Sequence, residues 1–244
     1  MNFPVIRLKT IDSTNKYIQT IKDLYRPQTF VVIAEEQTSG RGQCGNSWLS
    51  MKNMNLTFSL CVFPQLLKAE EQFMFNKVIS LSVLEFLTQF IKEKIKIKWP
   101  NDIYIEDKKI SGILIEHALM GDFINDSVAG IGININQCNF PDALPNPVSL
   151  KLITSKDYYL DECFEIFLNV FNCYYNKLLH HEWDSLNDDY LKCLYGYMIV
   201  RSYKYKDVCL NAKIIGVDTY GRLQLKDDSE NFLLCNFKEI EFLY

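Results

Sequence analysis

One short loop of the sequence combines residue types that suit a ligand with an anionic group and a flat ring. It directly follows an apolar run at 29–34 that predicts a strand, and it reads Gly40-Arg41-Gly42-Gln43-Cys44-Gly45-Asn46-Ser47-Trp48. The glycines let the backbone approach a ligand closely, so that successive N–H groups face an anion. Arg41 adds a permanent positive charge, and the indole of Trp48 adds an aromatic surface. The loop is neither a Walker A loop nor a dinucleotide fingerprint. The alternative is a flexible surface loop with a solvated Arg41.

A second polar segment lies in a predicted hairpin. It consists of Lys98-Trp99-Pro100-Asn101-Asp102 and, after a polar turn, Lys109-Ile110-Ser111-Gly112-Ile113-Leu114-Ile115-Glu116. Because a hairpin folds the chain back on itself, we expect Lys109 to lie across from the strand that carries Asp102, where an ammonium and a carboxylate converge. The alternative is an Asx-turn carboxylate and a solvated lysine. The upstream alternation of lysines at 92, 94, 96 and 98 predicts a solvated strand face.

Two further segments carry small and polar residues at the ends of predicted elements. Gly130-Ile131-Gly132-Ile133-Asn134-Ile135-Asn136 belongs to a strand whose glycines allow another backbone or a ligand to come close. Asp12-Ser13-Thr14-Asn15 precedes an amphipathic run that ends before Pro27, and by itself it is typical of a helix cap.

Periodicity predicts an α+β chain that positions these segments at strand and helix ends. Helices are expected at 13–25, 70–90, 161–179 and 186–194, and strands at 29–34, 56–63, 95–98, 103–105, 113–116 and 128–135. After Gly196 the pattern changes to four short strands separated by turns, at 198–203, 208–217, 222–225 and 232–237. We therefore predict two domains, 1–195 and 196–244, the second a small all-β module.

Composition excludes several other classes of protein. The chain has 244 residues and a net charge of −4, which excludes a whole-protein electrostatic footprint for nucleic acid. No apolar run reaches ~18 residues, and the first residues do not form a signal peptide, so we expect a cytoplasmic protein without a membrane segment. The eight cysteines form no CxxC and are expected to be free thiols. The three histidines form no HExxH, and no protein-bound metal is predicted.

Together, in this order and near this spacing, the four segments resemble the biotin–protein ligases, also called biotin–acetyl-CoA-carboxylase ligases. The resemblance covers residues 5–140 and rests above all on the Trp-Pro-Asn-Asp motif and the Gly-Arg-Gly loop. It implies a mixed-sheet catalytic domain of the class II aminoacyl-tRNA synthetase/biotin ligase type, followed by a small SH3-like β-barrel.

The resemblance also implies a two-step reaction. ATP converts the biotin carboxylate into biotinyl-5′-AMP and releases pyrophosphate, and a lysine of a biotin carboxyl carrier protein then attacks this anhydride and expels AMP. The first step brings two anions together, so preorganised cations are required. Mg²⁺ is expected to accompany ATP, with phosphates as its main ligands.

Residue by residue, the family motifs assign roles to positions of this chain. The implied catalytic residues are Arg41, Lys109 and Asp102. The implied biotin contacts are Ser13, Thr14, Gln37, Gly40, Arg41, Gly42, Lys109 and Gly112. The implied nucleotide contacts are Arg41, Trp48, Asn101, Lys109 and Asn134. The ureido ring of biotin carries one acceptor and two donors, which the polar members of the second set would match.

The sequence departs from the family pattern in one place. Many members carry basic residues after the Gly-Arg-Gly triplet, where this chain has Gln43, and one fewer cation predicts looser retention of the adenylate. The first motif begins at Asp12, so we expect a ligase without a DNA-binding winged-helix domain. The polar, glycine-rich stretch 35–53 is expected to close over the ligand.

Two alternatives remain open. A lipoate–protein ligase uses the same adenylate chemistry, but lipoate lacks the ureido group, so a polar ring pocket would be left unpaired. A non-catalytic biotin-binding module is the other, although simple binding of biotin would not need two cations and a nucleotide-facing tryptophan.

Overall fold

A seven-stranded mixed sheet forms the centre of the larger part of the molecule. The computed structural model describes residues 3–64 and 67–243. The strands follow the spatial order β1-β2-β3-β7-β6-β5-β4, and only the β1–β2 pair is parallel. Their bounds are β1 (Val5–Ile11), β2 (Phe30–Gln37), β3 (Leu56–Val62), β4 (Ile95–Lys98), β5 (Asp102–Ile105), β6 (Lys108–Met120) and β7 (Phe123–Ile133).

Helices cover both faces of this sheet. They are α1 (Thr14–Tyr25), α2 (Phe73–Thr88), α3 (Leu150–Thr154), α4 (Leu160–Leu179) and α5 (Trp183–Cys193). On one face α2 and α4 pack against each other and both contact the sheet: α2 lies against β4, β5 and β6, and Phe58 of β3 meets Phe167 of α4 with ring centroids 4.9 Å apart. On the other face Ile18 of α1 packs against Phe30 and Val32. Because β2 is covered on both faces, its sequence is a continuous apolar run rather than an alternating one.

A five-stranded antiparallel sheet follows, in the order β11-β10-β9-β8-β12. Its strands are β8 (Val200–Tyr205), β9 (Val208–Val217), β10 (Leu223–Asp227), β11 (Phe232–Cys235) and β12 (Ile240–Phe242). The indole Nε1 of Trp99 donates a hydrogen bond to the carbonyl of Gly221, 2.9 Å away, so the small sheet is docked directly on the Trp-Pro turn of the large one. One cluster of buried apolar side chains runs through both parts.

The α+β class and the small all-β module are confirmed, while several elements differ from the predictions, among them α3, which was not predicted. β1 was missed because its residues alternate too weakly between apolar and polar, and β12 because it has only three residues. The helix expected from residue 70 begins at Phe73, because residues Ala69–Glu71 form a 3₁₀ turn. Within residues 3–64 and 67–243, no helix is long and apolar enough to cross a membrane.

Lys77 of α2 is an almost fully buried lysine, 3% exposed, and it leads to a prediction about stability. Its Nζ donates to the Oδ1 of Asn187 at 2.8 Å and lies 5.6 Å from the ring centroid of Phe73. Burial lowers the pKa of this ammonium to about 8, opposed by the charge of Asp218. Between pH 8 and the ordinary pKa of 10.5 the unfolded chain holds a proton that the folded chain lacks, so stability rises with pH there.

We expect Lys77→Met to raise the free energy of unfolding at pH 7 by about 1–3 kcal/mol and to remove this rise above pH 8. Urea unfolding of wild type and variant between pH 7 and pH 10.5 measures the difference. Lys156→Met, at an exposed lysine, serves as the control and should change neither quantity. An unchanged pH slope in Lys77→Met would show that this ammonium remains charged in the folded protein.

Candidate active site

A cavity of about 450 Å³ brings most of the predicted site residues together. Its floor is formed by β6 and β7, and its walls by the 40–48 loop, the start of α1, the 98–102 turn and the end of the small sheet. The residues predicted from the sequence that line it are Ser13, Thr14, Gln37, Arg41, Gly42, Trp48, Asp102, Lys109 and Gly112.

The 40–48 loop forms a small hairpin of its own. The backbone N–H of Gly42 donates to the carbonyl of Asn46 at 2.7 Å, and that of Trp48 donates to the carbonyl of Gly40 at 2.9 Å. Arg41 and Ser47 are paired across it. These bonds give the loop a defined shape and direct the side chains of Arg41 and Trp48 toward the cavity that both line.

The indole of Trp48 lies flat against two glycines of the sheet floor. A Cβ atom at Gly132 would stand 2.2 Å from Cε2 of the indole, and one at Gly112 would stand 2.8 Å from Cζ3. Only residues without a side chain therefore leave room for the ring here. The indole Nε1 is buried against the sheet and has no hydrogen-bond partner among the described residues.

Lys109 and Asp102 converge as the hairpin predicts. Nζ of Lys109 lies 2.6 Å from Oδ2 of Asp102, and both side chains are 29% exposed. A shift in register between Ile103 and Tyr104 of the β5–β6 pair accompanies this approach. The Nζ atom is also 6.0 Å from the centroid of the Trp48 ring, so the ammonium and the indole belong to one site.

The second cation of the cavity has a carboxylate partner too. Nη2 of Arg41 donates to Oε1 of Glu116 at 3.0 Å, and Nδ2 of Asn15 donates to Oε2 at 3.0 Å. Glu116 is seven residues beyond Lys109 in β6, a separation of roughly 20 Å along a strand. Arg41 and Lys109 thus line the same cavity while each is paired with its own carboxylate, rather than meeting at one point.

Polar side chains at the start of α1 form a buried hydrogen-bond network. The backbone N–H of Thr14 donates to Oε1 of Gln37 at 2.9 Å, and the Thr14 hydroxyl is 2.6 Å from that of Ser59. Ser59 in turn donates to Oδ1 of Asn15 at 2.5 Å. The Ser13 side chain makes no capping bond, contrary to the helix-cap expectation. Ser59 and Asn15 were not predicted as site residues, although a polar residue within the otherwise largely apolar strand β3 was an available signal.

Three predicted residues lie outside this cavity. Asn101 is buried, and its Oδ1 accepts a hydrogen bond from Nε2 of Gln43 at 2.8 Å. Gly40 lines an outer cavity of about 970 Å³ on the other side of the loop. Asn134 lines a neighbouring cavity of about 420 Å³ together with Trp48 and Lys109. Its Nδ2 donates to a backbone carbonyl at 3.0 Å, while its buried Oδ1 has no partner among the described residues.

The prediction of a solvated lysine face is wrong for Lys98. Its Nζ lies 5.2 Å from the ring centroid of Phe242 and 5.1 Å from that of Tyr104, and the residue lines the main cavity. Burial lowers the pKa of this ammonium, opposed by the nearby charges of Asp102, Asp107 and Glu241. The small β module also contributes cavity-lining residues that were not predicted: Phe237, Lys238, Ile240, Glu241 and Phe242.

Known proteins are similar to this part of the chain in sequence. The model of the biotin/lipoate A/B protein ligase family matches residues 8–134, just over half of the chain. The bifunctional ligase/repressor BirA of Escherichia coli K12 is 33% identical over 141 residues, which are 57% of this chain and 43% of that protein. A biotin–[acetyl-CoA-carboxylase] ligase of Paracoccus denitrificans is 34% identical over 113 residues, 46% of each chain. The match thus spans less than half the length of these curated relatives.

Solved structures resemble the whole chain rather than the matched half. A biotin protein ligase from Aquifex aeolicus, in complex with biotin and ATP, superposes with a TM-score of 0.81 at 25% identity and covers 98% of each chain. A Leishmania major biotin protein ligase superposes with a TM-score of 0.67 at 20% identity, which shows the common fold. The family match and the shared fold lead to one conclusion: the chain belongs to the biotin/lipoate A/B protein ligase family.

Proposed function

We propose that this protein attaches biotin to a lysine of an acceptor protein through a biotinyl-adenylate. The observation that carries the proposal is one cavity that joins a polar ring pocket at Thr14 and Gln37, two cations and a glycine-backed indole. The Paracoccus relative at 34% identity is named as a biotin–[acetyl-CoA-carboxylase] ligase, and the Aquifex structure is described with biotin and ATP bound. A lipoate ligase would not need the polar ring pocket, and a simple binding protein would not need the two cations.

The ring pocket supplies donors and acceptors for the ureido group. The carbonyl oxygen of Gln37 is already occupied by Thr14, so its amide N–H groups are the donors available to the ureido oxygen. The hydroxyls of Ser13 and Thr14 add groups that both donate and accept. Gly42 and Gly112 lie farther along the same cavity, where the valeryl chain would run toward the cations.

The cations oppose the repulsion between two anions in the first step. An oxygen of the biotin carboxylate attacks the α-phosphorus of ATP, the bond to the β-phosphate oxygen breaks, and pyrophosphate leaves. Arg41 and Lys109 line different parts of the cavity, so each would stabilise negative charge at its own part of the two joined anions, the carboxylate and the phosphate. Asp102 holds the ammonium of Lys109 in place before substrate binds.

The adenine would occupy the smaller cavity beside Trp48. That cavity is lined by the indole on one side and by Asn134, whose buried Oδ1 lacks a partner, on another. An adenine amino group is a donor that would satisfy this oxygen, and its ring would stack on the indole. Asn101 would not touch the nucleotide; it would support the 40–48 loop by accepting the hydrogen bond from Gln43.

In the second step, the uncharged Nζ of an acceptor lysine attacks the carbonyl carbon of the adenylate. The bond between that carbon and the phosphate oxygen breaks, AMP leaves with the electron pair, and the nitrogen loses a proton as the amide forms.

The acceptor would be a biotin carboxyl carrier domain, and the compartment would be the reducing cytoplasm, where the free thiols of the described cysteines persist. Mg²⁺ would be held mainly by the ATP phosphates, with Asp102 and Glu241 as the carboxylates within the cavity.

Biotin-dependent exchange of labelled pyrophosphate into ATP tests the proposal, followed by transfer of biotin to a carrier domain. Exchange with biotin supports the ligase. Exchange that requires lipoate instead would reassign the substrate, and binding of biotin without any exchange would indicate a non-catalytic module.

The ring pocket gives a prediction about affinity. Thr14→Val keeps the shape of the side chain but removes its hydroxyl and leaves Gln37 and Ser59 with one partner fewer. In the proposed pose the variant also leaves the ureido group of bound biotin without one partner, which costs about 1–3 kcal/mol, so we expect KM for biotin to rise roughly 10- to 100-fold with little change in KM for ATP. Steady-state exchange assays measure both constants. Thr10→Val, at a hydroxyl outside the cavity, is the control, and equal effects of the two variants would contradict this role of Thr14.

A further inference from the structure

Glu116 of β6 is a half-buried carboxylate next to the cavity-lining Arg41 and Asn15, and the proposed reaction does not use it. In β6 it shares a strand face with Gly112 and Leu114, which line the cavity, because alternate residues of a strand point the same way. Its side chain is 32% exposed, and both of its oxygens are occupied. Arg41 donates to Oε1 at 3.0 Å and Asn15 donates to Oε2 at 3.0 Å.

The side chain of Glu116 is held from behind by buried groups. Asn15 is 3% exposed, and its Oδ1 accepts a hydrogen bond from the fully buried Ser59. A carboxylate fixed in this way offers Arg41 a stationary partner, unlike a mobile ion pair on an open surface. The ion pair joins residues 75 positions apart, so it ties the 40–48 loop to the rigid sheet.

Among the described side chains of the 40–48 loop, those of Trp48, Gln43 and Arg41 attach it to the large sheet and the turn beside it. The Trp48 indole lies on the glycines of the sheet, and Gln43 donates to Asn101 at 2.8 Å. The third attachment is the pair of Arg41 with Glu116, and among the three it alone joins opposite charges. The guanidinium carries five N–H donors, so this pair leaves donors of Arg41 for a substrate anion.

We propose that Glu116 is a positioning residue: by holding the guanidinium of Arg41, it keeps the 40–48 loop over the cavity and protects the acyl-adenylate from water. The proposal rests on the proposed function for the identity of the intermediate. Water attacks the acyl carbon of an adenylate that leaves the closed site, which gives free acid and AMP in place of the acylated lysine. Glu116 therefore acts through Arg41 and does not touch the reacting atoms.

Glu116→Gln tests the proposal because it keeps the shape and the contact with Asn15 but removes the charge. We expect the backbone amides of residues 40–48 to exchange hydrogen about two- to fivefold faster in the variant without ligand. With substrates, the AMP formed per lysine biotinylated should rise by a similar factor. Glu36→Gln serves as the control, since Glu36 pairs with Lys52 outside the cavity at similar exposure.

Two results would overturn this role. One is unchanged amide exchange in the loop of Glu116→Gln, and the other is a lower KM for biotin or ATP with unchanged loop protection, which would make Glu116 a competitor for Arg41. The amide-exchange measurement needs no enzymatic activity, so it tests the ion pair independently of the proposed function. A wild-type protein that does not exchange pyrophosphate with biotin would contradict the proposed function and leave this measurement valid.

Discussion

Replacing Lys109 by alanine is expected to slow biotin-dependent pyrophosphate exchange by about 10²–10³-fold. The variant loses the ammonium that is held 2.6 Å from Asp102 and 6.0 Å from the centre of the Trp48 ring. In the proposed function, two anionic substrates meet beside this ammonium. Removal of one preorganised group that stabilises developing negative charge typically has an effect of this size, about 3–4 kcal/mol. Bound ATP is also attracted by this charge in the ground state, so KM for ATP should rise. The rise should be smaller than the fall in kcat, because the negative charge near Lys109 is greatest in the transition state.

The adjacent Lys108 provides a matched control for this experiment. It lies in the same hairpin, carries the same charge and is exposed, so Lys108→Ala should leave the rate within about twofold of wild type. Lys109→Arg keeps the positive charge but places it on a larger, planar guanidinium group, so it should recover only part of the rate. Equal rates for Lys109→Ala and Lys108→Ala, in protein with unchanged thermal stability, would remove Lys109 from the chemistry.

The site features that the sequence predicted correctly are those joined by local chain geometry. Lys109 and Asp102 belong to one hairpin, and the short turn between β5 and β6 forces their strands to pair. The apolar run of β2 and the amphipathic pattern of α1 were likewise readable, because each follows from how one element buries its own face.

The features that the sequence did not predict depend on distant parts of the chain. Arg41 and Glu116 are 75 positions apart, and Ser59 and Asn15 are 44 apart, so each pair forms only after the sheet is assembled. Lys98 looked like part of a solvated face because periodicity does not reveal that Phe242 of the small sheet covers it. The same limit applies to the two-domain boundary near residue 195, which stays a prediction.

The role of the glycines of β6 and β7 was predicted only in part. Their presence in strands indicated that something approaches the backbone closely, but the sequence did not say what. The structure identifies that group as the indole of Trp48, and the distances to a Cβ at Gly132 and Gly112 are short enough to make the contact testable.

Gly132→Ala should reduce kcat/KM for ATP by about 10- to 100-fold. Its backbone is not in the left-handed region, so alanine adds no backbone strain, and the whole effect comes from a methyl group 2.2 Å from Cε2 and 2.3 Å from Nε1 of Trp48. The indole must move off the sheet, and stacking of a base on an aromatic ring is worth ~1–3 kcal/mol. Pyrophosphate exchange at varied ATP concentration, with biotin saturating, measures the loss. Gly216→Ala is the control, since in β9 a methyl group would meet only the end of the flexible Gln224 side chain.

A double-mutant cycle then decides whether the loss passes through Trp48. If the added methyl group acts only by displacing the indole, Gly132→Ala should have little further effect in a Trp48→Ala background, because that variant has already lost the ring. The two single variants should then resemble each other in kcat/KM for ATP, and the double variant should match the worse of them within about threefold. Additive losses would mean that Gly132 faces the nucleotide or the biotin chain directly, and a Gly132→Ala protein with wild-type ATP kinetics would mean that the indole does not support the base.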